Sequence, residues 1–530
     1  MSRTLGKERK QLTAPKGADA SFTQPQDWQS IDWASVKRQV RRLQVRIAKA
    51  TQTGKHRKAQ ALQWLLTHSR MAKLLAVRWV TTNRGAKTPG VDNVLWRTNK
   101  QKLQAALNLK RHGYKPKPLR RIYIPKRNGK LRPLSIPTLH DRAMQALYAL
   151  ALAPVAETLA DPNSHGFRQG RGCADALSYT HSVLSRLHSA RWVLEADIRA
   201  CFDMISHEWL LKHIPMDKLV LRLWLQAGYW DKDKLFPTQA GTPQGGILSP
   251  LLANLTLDGL QAAIRQAVRP RGDKVNFVRY ADDFIVTGAS QELLEQKIRP
   301  ALTAFLTQRG LELSEQKTVI THIDKGFNFL GHTVRRFGDK LLTTPAKSNL
   351  KALREKIRTR VQSAGGLSQE ALIRQLNPLL RGWANYYRHA AAKRTFSQLD
   401  TYLFRLLWRW TKRRHPKHSA AWRKENYFSA AGKGWNFSVR LAGPEGQSRV
   451  LTLYRMASTK IRRHVQIIGA ANPYDPQYTA YFEQRRSLAR GARDRRAAQM
   501  ELFGSLKFEA DRFVAGWPPR ALAKAPVGKA

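Results

Sequence analysis

The chain has 530 residues, with 93 Lys and Arg against 37 Asp and Glu, a formal net charge of +56. That length suggests about three or four folded units, and 42% hydrophobic with 9% aromatic residues exclude a purely disordered basic tail. So large an excess of one sign repels itself unless a polyanion neutralises it, which leaves nucleic acid or an anionic membrane surface as the partner.

A membrane span is excluded by length: the longest apolar run, residues 146–156, is about half the ~20 residues required, and Pro154 interrupts it. The first residues carry no apolar stretch suited to a secretion signal. Cys173 and Cys201 form no CxxC pair, so neither a disulfide framework nor a zinc site is supported. The expected setting is reducing and cytoplasmic, of bacterial type, with nucleic acid at hand.

In chain order, residues 1–25 are polar and expected to be disordered. Residues 26–100 read as a basic helical extension, because Val36, Val40, Leu43 and Ile47 recur at four- and three-residue spacing. A Gly- and Pro-containing stretch, 83–92, breaks that pattern. From about 120 to 335, short β-type runs alternate with helices, the texture of a mixed α/β unit. Asn128-Gly129 between two β-type arms predicts a hairpin over 121–136. From 345 to 425 the pattern is helical again, with one stripe at Leu372, Leu376, Leu379, Trp383 and Tyr387 and a second at Phe396, Leu399, Leu403, Leu406 and Trp410. Residues 351–415 carry 15 Lys and Arg against 3 Asp and Glu, mostly off those stripes, which points to a nucleic-acid surface. A short mixed region follows to 485, and 486–530 reads as irregular.

In a chain this poor in acid, apolar strands that carry carboxylates need a reason. Residues 192–198 run Trp-Val-Leu-Glu-Ala-Asp-Ile, with Phe202 and Asp203 just beyond. Residues 277–286 place Asp282 and Asp283 between hydrophobic arms. A solvent-exposed turn would explain either alone, since Asp suits turns. The functional reading sets the hairpin tip beside the end of the first strand and brings Asp197 to Asp282. Clustered carboxylates of this kind suit hard divalent cations, and two such ions ~3.5–4 Å apart serve phosphoryl-type transfer.

The YADD sequence at 280–283 and the D-x-x-x-x-F-D pattern at 197–203 resemble the metal-binding motifs of reverse transcriptases. Around them, in order, stand IPK and RPLSIP (124–137), GFRQGR (166–171), GTPQGG (241–246), LSPLLAN (248–254), FLG (329–331) and GWANYY (382–387). Together, from about 27 to 485, the chain resembles group II intron-encoded reverse transcriptase/maturases. The resemblance implies an α+β right-hand polymerase with fingers and palm over 101–340, a helical thumb/maturase domain over 341–425 and a nucleic-acid-binding region over 426–485. It implies an RNA-directed DNA polymerase that binds its intron RNA, aids splicing and copies the RNA into cDNA. The partners would be an RNA template, a DNA primer, target DNA and dNTPs. Two Mg²⁺ ions, with Mn²⁺ as a substitute, would sit on Asp197, Asp282 and Asp283.

The same resemblance assigns nucleotide contacts to Lys126, Arg132, Phe202, Gln244, Gly245 and Lys317. The guanidinium fork of Arg132 suits phosphate oxygens. Phe202 would be the steric gate against a ribose 2′-hydroxyl, although a Phe more often packs a core. Gln244 and Gly245 lie in a Gly/Pro-rich loop that permits close backbone approach. Candidates for RNA phosphate contacts are Arg381, Arg388, Lys393, Arg394, Arg409, Lys412, Arg413 and Arg414, with Trp383 and Tyr387 expected in the helix core. The chain has no Cys after Cys201 and no His after His464, so the Cys/His-rich HNH endonuclease that follows residues 472–476 in many such proteins is not expected. Two other readings are a splicing cofactor without polymerase activity and a domesticated antiviral or CRISPR-linked reverse transcriptase.

Overall fold

The computed structural model describes residues 27–490, apart from 126–128, 130, 270, 271, 432, 433 and 443–447. The expected disorder of 1–25, the stretch 491–530, and Lys126 with its turn lie outside the described residues.

Three helices open the fold: α1 (Trp33–Gln52), α2 (His56–His68) and α3 (Arg70–Thr82). The Asp32 side chain accepts from the backbone N–H groups of Ala34 and Ser35 and so caps α1. Val36, Val40 and Ile47 are buried and Leu43 half-buried, as their spacing requires. A further helix, α4 (Asn99–Asn108), starts from a capping box of Thr98 and Gln101. All but α4 pack against α5 (Leu139–Leu159). This helix holds the longest apolar run; it is buried nearly all round, which is why its sequence lacks a polar face.

The strands follow as β1 (Leu119–Pro125), β2 (Leu131–Ile136), β3 (Trp192–Asp197), β4 (Tyr229–Asp231), β5 (Lys234–Phe236), β6 (Phe277–Tyr280), β7 (Asp283–Gly288), β8 (Val319–His322), β9 (Phe327–Phe329), β10 (His332–Phe337) and β11 (Lys340–Pro345). β1 and β2 form the expected hairpin, with Ile124 opposite Arg132, in a sheet of order β2-β1-β4-β5. The central sheet has order β6-β7-β3-β8. Its two faces are both covered. Leu194, Ala196, Phe277, Phe284 and Val286 face the core shared with the N-terminal helices. Val193, Val278, Tyr280 and Ile285 face a second core with Phe327 and Phe329. Alternate strand residues point to opposite faces, so a sheet buried on both reads as nearly continuous apolar runs.

The thumb comprises helices Lys347–Gln362, Gln369–Tyr387, Lys393–Arg414 and Ala420–Phe428. Its own core takes Leu372, Leu376, Phe396, Leu399, Leu403 and Trp410, with Leu407 fully buried where the stripe had Leu406. Sheet β11-β10-β9 joins thumb to palm. There, Tyr386 Oη donates to the Leu330 carbonyl at 2.7 Å and Tyr387 Oη to that of Gly331 at 2.9 Å.

From the thumb the chain returns across the palm. His464 Nε2 and Arg485 Nη2 meet Asp175 Oδ1 at 2.8 and 2.7 Å, Arg171 Nη2 donates to the Gly469 carbonyl at 2.7 Å, and Arg41 lies over the Tyr474 ring. The last described helix is Thr479–Arg490, so the irregular tail expected from 486 begins inside a helix. No helix among the described residues is long and apolar enough to cross a membrane.

Candidate active site

Asp197 ends β3, and β7 begins with Asp283 directly opposite it in antiparallel register. The β6–β7 connection is tight, with Ala281 at a φ of +59°. The Ile198 N–H donates to the Asp282 carbonyl at 3.3 Å, which docks the hairpin tip on the end of β3. Residues 163–167 brace the other side. His165 N–H donates to the Arg279 carbonyl at 2.9 Å, and Asn254 Nδ2 donates to the Gly166 carbonyl at 2.8 Å. Any Cβ on Gly166 would collide with the backbone of Ala281. The GFR and LAN motifs therefore brace the YADD turn.

Burial pushes the Asp282 carboxyl above the usual carboxylate range, and the neighbouring charge of Asp197 pushes it further; Arg132 and Lys317 pull the other way. The Lys317 ammonium pairs with Asp197 Oδ2 across the groove. Two carboxylates held together at this cost fit a hard divalent cation, which is commonly bound by one or two protein carboxylates and completes its shell with phosphate and water. Among the described residues no three His, Cys, Asp or Glu side chains form a ready-made cage. Asp197 and Asp282 are thus the pair that fits, and Asp283 stands opposite Asp197 in the strand register. Glu195, two residues before Asp197, is occupied structurally, accepting from Thr321 Oγ1 and the Asn328 N–H, both at 3.2 Å.

Arg132 and Gln244 are in contact: Arg132 Nε donates to Gln244 Oε1 at 2.7 Å. Gly245 has a φ of +120°, and a Cβ there would lie 2.5 Å from the Ser135 carbonyl oxygen, so glycine is required. Phe202 is buried, edge-on to Phe167 at 6.2 Å between centroids, and packs the core at the edge of the site.

On the thumb, Arg381, Arg394, Arg409, Lys412 and Arg413 are exposed. Lys393 and Arg414 are exposed as well, and both also reach backbone carbonyls. The Lys393 ammonium donates to the Ala457 carbonyl, and Arg414 Nη1 donates to the carbonyls of Gly365 and Leu367 at 3.0 and 2.9 Å. Arg414 ties the thumb together and Lys393 joins it to the segment that follows, because helix and loop carbonyls left without N–H partners attract nearby cations. Arg388 is half-buried, and burial lowers its pKa. Trp383 is partly buried and packs at a tilt against Tyr387, 4.2 Å between ring centroids, as its stripe position implies.

Sequence reasoning missed the Lys317–Asp197 pair and the fully buried Arg279, whose Nη2 meets Asp258 at 2.5 Å. Nothing in local spacing signals either.

An antiparallel sheet with paired carboxylates at adjoining strand ends, beside a basic hairpin and a basic helical thumb, defines a template-directed nucleotidyl-transfer enzyme of the right-hand class. The reverse transcriptase (RNA-dependent DNA polymerase) family matches residues 124–334, the N-terminal domain of reverse transcriptase 28–109, and the group II intron maturase-specific domain 350–428. Protein YkfC of Escherichia coli K12 is 34% identical over 309 residues, covering 49% of this chain and 79% of that protein. The group II intron-encoded protein LtrA of Lactococcus lactis subsp. cremoris is 32% identical over 322 residues, 48% of this chain and 53% of LtrA, so this chain matches about half of LtrA's length. A telomerase structure from Candida albicans, in complex with a TWJ fragment of telomeric RNA, overlaps loosely, with a TM-score of 0.34 and 14% identity over 67% of this chain and 68% of that one. The chain belongs to the group II intron-encoded reverse transcriptase/maturase family and carries both its polymerase and its maturase-specific domains.

Proposed function

We propose that the chain binds a group II intron RNA, assists its splicing, and copies it into cDNA from a DNA primer at target DNA, in the cytoplasm of a bacterial-type cell. The observation that carries the polymerase half is the docking of the YADD turn on the end of β3, which puts Asp282 beside Asp197 with Lys317 at hand. Asp197 and Asp282 would hold Mg²⁺ or Mn²⁺, with Asp283 in support; when bound, the ions lower the cost of a primer 3′-oxyanion and of charge on the leaving pyrophosphate.

The chain's own residues supply the rest. Arg132, reaching from the β1–β2 hairpin, binds the triphosphate of the incoming dNTP, as does Lys126. Lys317 keeps Asp197 charge-balanced until nucleotide arrives. Gly245 lets the backbone approach the templating pair, and Phe202 excludes a ribose 2′-hydroxyl. Exposed Arg394, Arg409, Lys412 and Arg413 meet RNA phosphates.

Primer extension with dNTPs and Mg²⁺ on an RNA template annealed to a DNA primer tests this reading, with Asp282→Asn beside the wild type and RNA binding measured for both. Extension by the wild type, reduced at least about 10³-fold in the variant while RNA binding persists, supports the polymerase site. A folded, RNA-binding wild type that extends nothing would leave the splicing cofactor reading in its place.

A further inference from the structure

Asp203 is the carboxylate of the first acidic motif that the site leaves without a role. It stands in the short helix Cys201–Met204, exposed, beyond the left-handed turn at Ala200. Gln244 Nε2 donates to its Oδ2 at 2.8 Å, while the other end of the same amide, Oε1, accepts from Arg132 Nε at 2.7 Å. An ionised carboxylate only accepts and a guanidinium only donates. One orientation of the amide therefore satisfies both neighbours, and Asp203 selects it.

The backbone forms the same bridge. Thr242 N–H donates to the Phe202 carbonyl at 2.6 Å and Gly241 N–H to that of Ile205 at 2.8 Å, on the palm side; Ser135 N–H donates to the Gln244 carbonyl at 2.7 Å, on the hairpin side. A Cβ on Gly241 would lie 2.6 Å from the Asp203 carbonyl oxygen. The loop is thus clamped, and what remains free to turn is the Gln244 side chain. A cavity of about 220 Å³ lined by Asp203, Gln244, Ser135, Thr242, Arg121 and Tyr229 gives that side chain room to swing away.

We propose that Asp203 is a positioning residue: it holds the Gln244 amide with its carbonyl toward Arg132, and thereby sets the angle at which the Arg132 guanidinium meets the nucleotide triphosphate. This rests on the reading of Arg132 as a triphosphate ligand. Steady-state dNTP kinetics at saturating RNA template–DNA primer, with melting temperature and RNA binding as fold controls, test it on Asp203→Ala, Asp203→Asn, Arg132→Gln and the Asp203→Ala/Arg132→Gln double variant. Asp203→Ala should raise the dNTP KM roughly fivefold, with kcat within about twofold, as expected for loss of one modest hydrogen bond. Asp203→Asn should restore most of the KM, because its Oδ1 still accepts from Nε2. The double variant should be no worse than Arg132→Gln alone. Asp203→Ser, too short to reach Nε2, carries the same expectation as alanine if the alanine variant unfolds.

A raised KM in Arg132→Gln with none in Asp203→Ala overturns the positioning role and leaves the Arg132 reading intact. Unchanged KM in both overturns the Arg132 reading itself. Loss of kcat by orders of magnitude in both Asp203→Ala and Asp203→Asn would make Asp203 part of the reacting centre, and additive effects in the double variant would break the proposed link to Arg132.

Discussion

Arg279 is wholly buried one residue before the tyrosine of the YADD turn, between Asn254 and Asp258. Removing Asp258 would leave a guanidinium without its counter-charge in the interior, which typically costs about 3–5 kcal/mol. Asp258→Ala should therefore lower the urea midpoint of the palm markedly. Gly166→Ala acts differently: the added methyl collides with the Ala281 backbone and must push the turn off β3. That variant should lose at least about tenfold in extension rate, consistent with the sensitivity of catalysis to small misplacements, while RNA binding to the thumb is retained; the pair of assays checks it. Individual residues were the least legible scale. Asp197 and Asp282 stood out because acid is scarce in this chain, but Lys317 and Asp258 differ in no local respect from the many charged residues around them.

At the scale of elements, apolar runs named the strands β3, β6 and β7 and helical spacing named the thumb stripes, because the side-chain direction of a strand or helix follows from backbone geometry alone. The contacts between elements were less visible. His165 beside the YADD hairpin and His332 on β10 are both buried, and burial holds them neutral, His165 down to about 3 and His332 down to about 4. An unfolded chain binds their protons near 6.5. The stability they permit is therefore complete above about pH 6.5 and is lost progressively as pH falls toward 4. Denaturant midpoints measured between pH 7 and pH 4.5 should drop, and His332→Gln should reduce that dependence. His332 also touches Tyr386 and Tyr387, the thumb residues that bond to Leu330 and Gly331, so acid should loosen the palm–thumb joint early.

For the whole molecule, the charge of +56 makes RNA affinity depend steeply on salt through counterion release. Replacing Arg394, Arg409, Lys412 and Arg413 together with Gln should flatten the plot of log affinity against log salt by roughly 0.7–0.9 for each residue that touches phosphate. Lys393→Gln and Arg414→Gln should leave that slope nearly unchanged and lower the melting temperature instead, since both side chains hold backbone carbonyls. Filter binding over a salt series separates the two groups.

The sequence by itself determined the polyanionic partner, the acidic strand ends, the β1–β2 hairpin and the helical thumb. Each of these depends on composition or on spacing within a few residues, where sterics and side-chain direction are decided locally. Only the tertiary structure decided which of the exposed thumb cations also hold backbone carbonyls. It alone paired Lys317 with an aspartate 120 positions away and set one glutamine amide between Arg132 and Asp203. Partnerships over such separations are settled by how the elements pack, because a charged or polar side chain takes whichever complementary group the fold brings within about 3 Å of it.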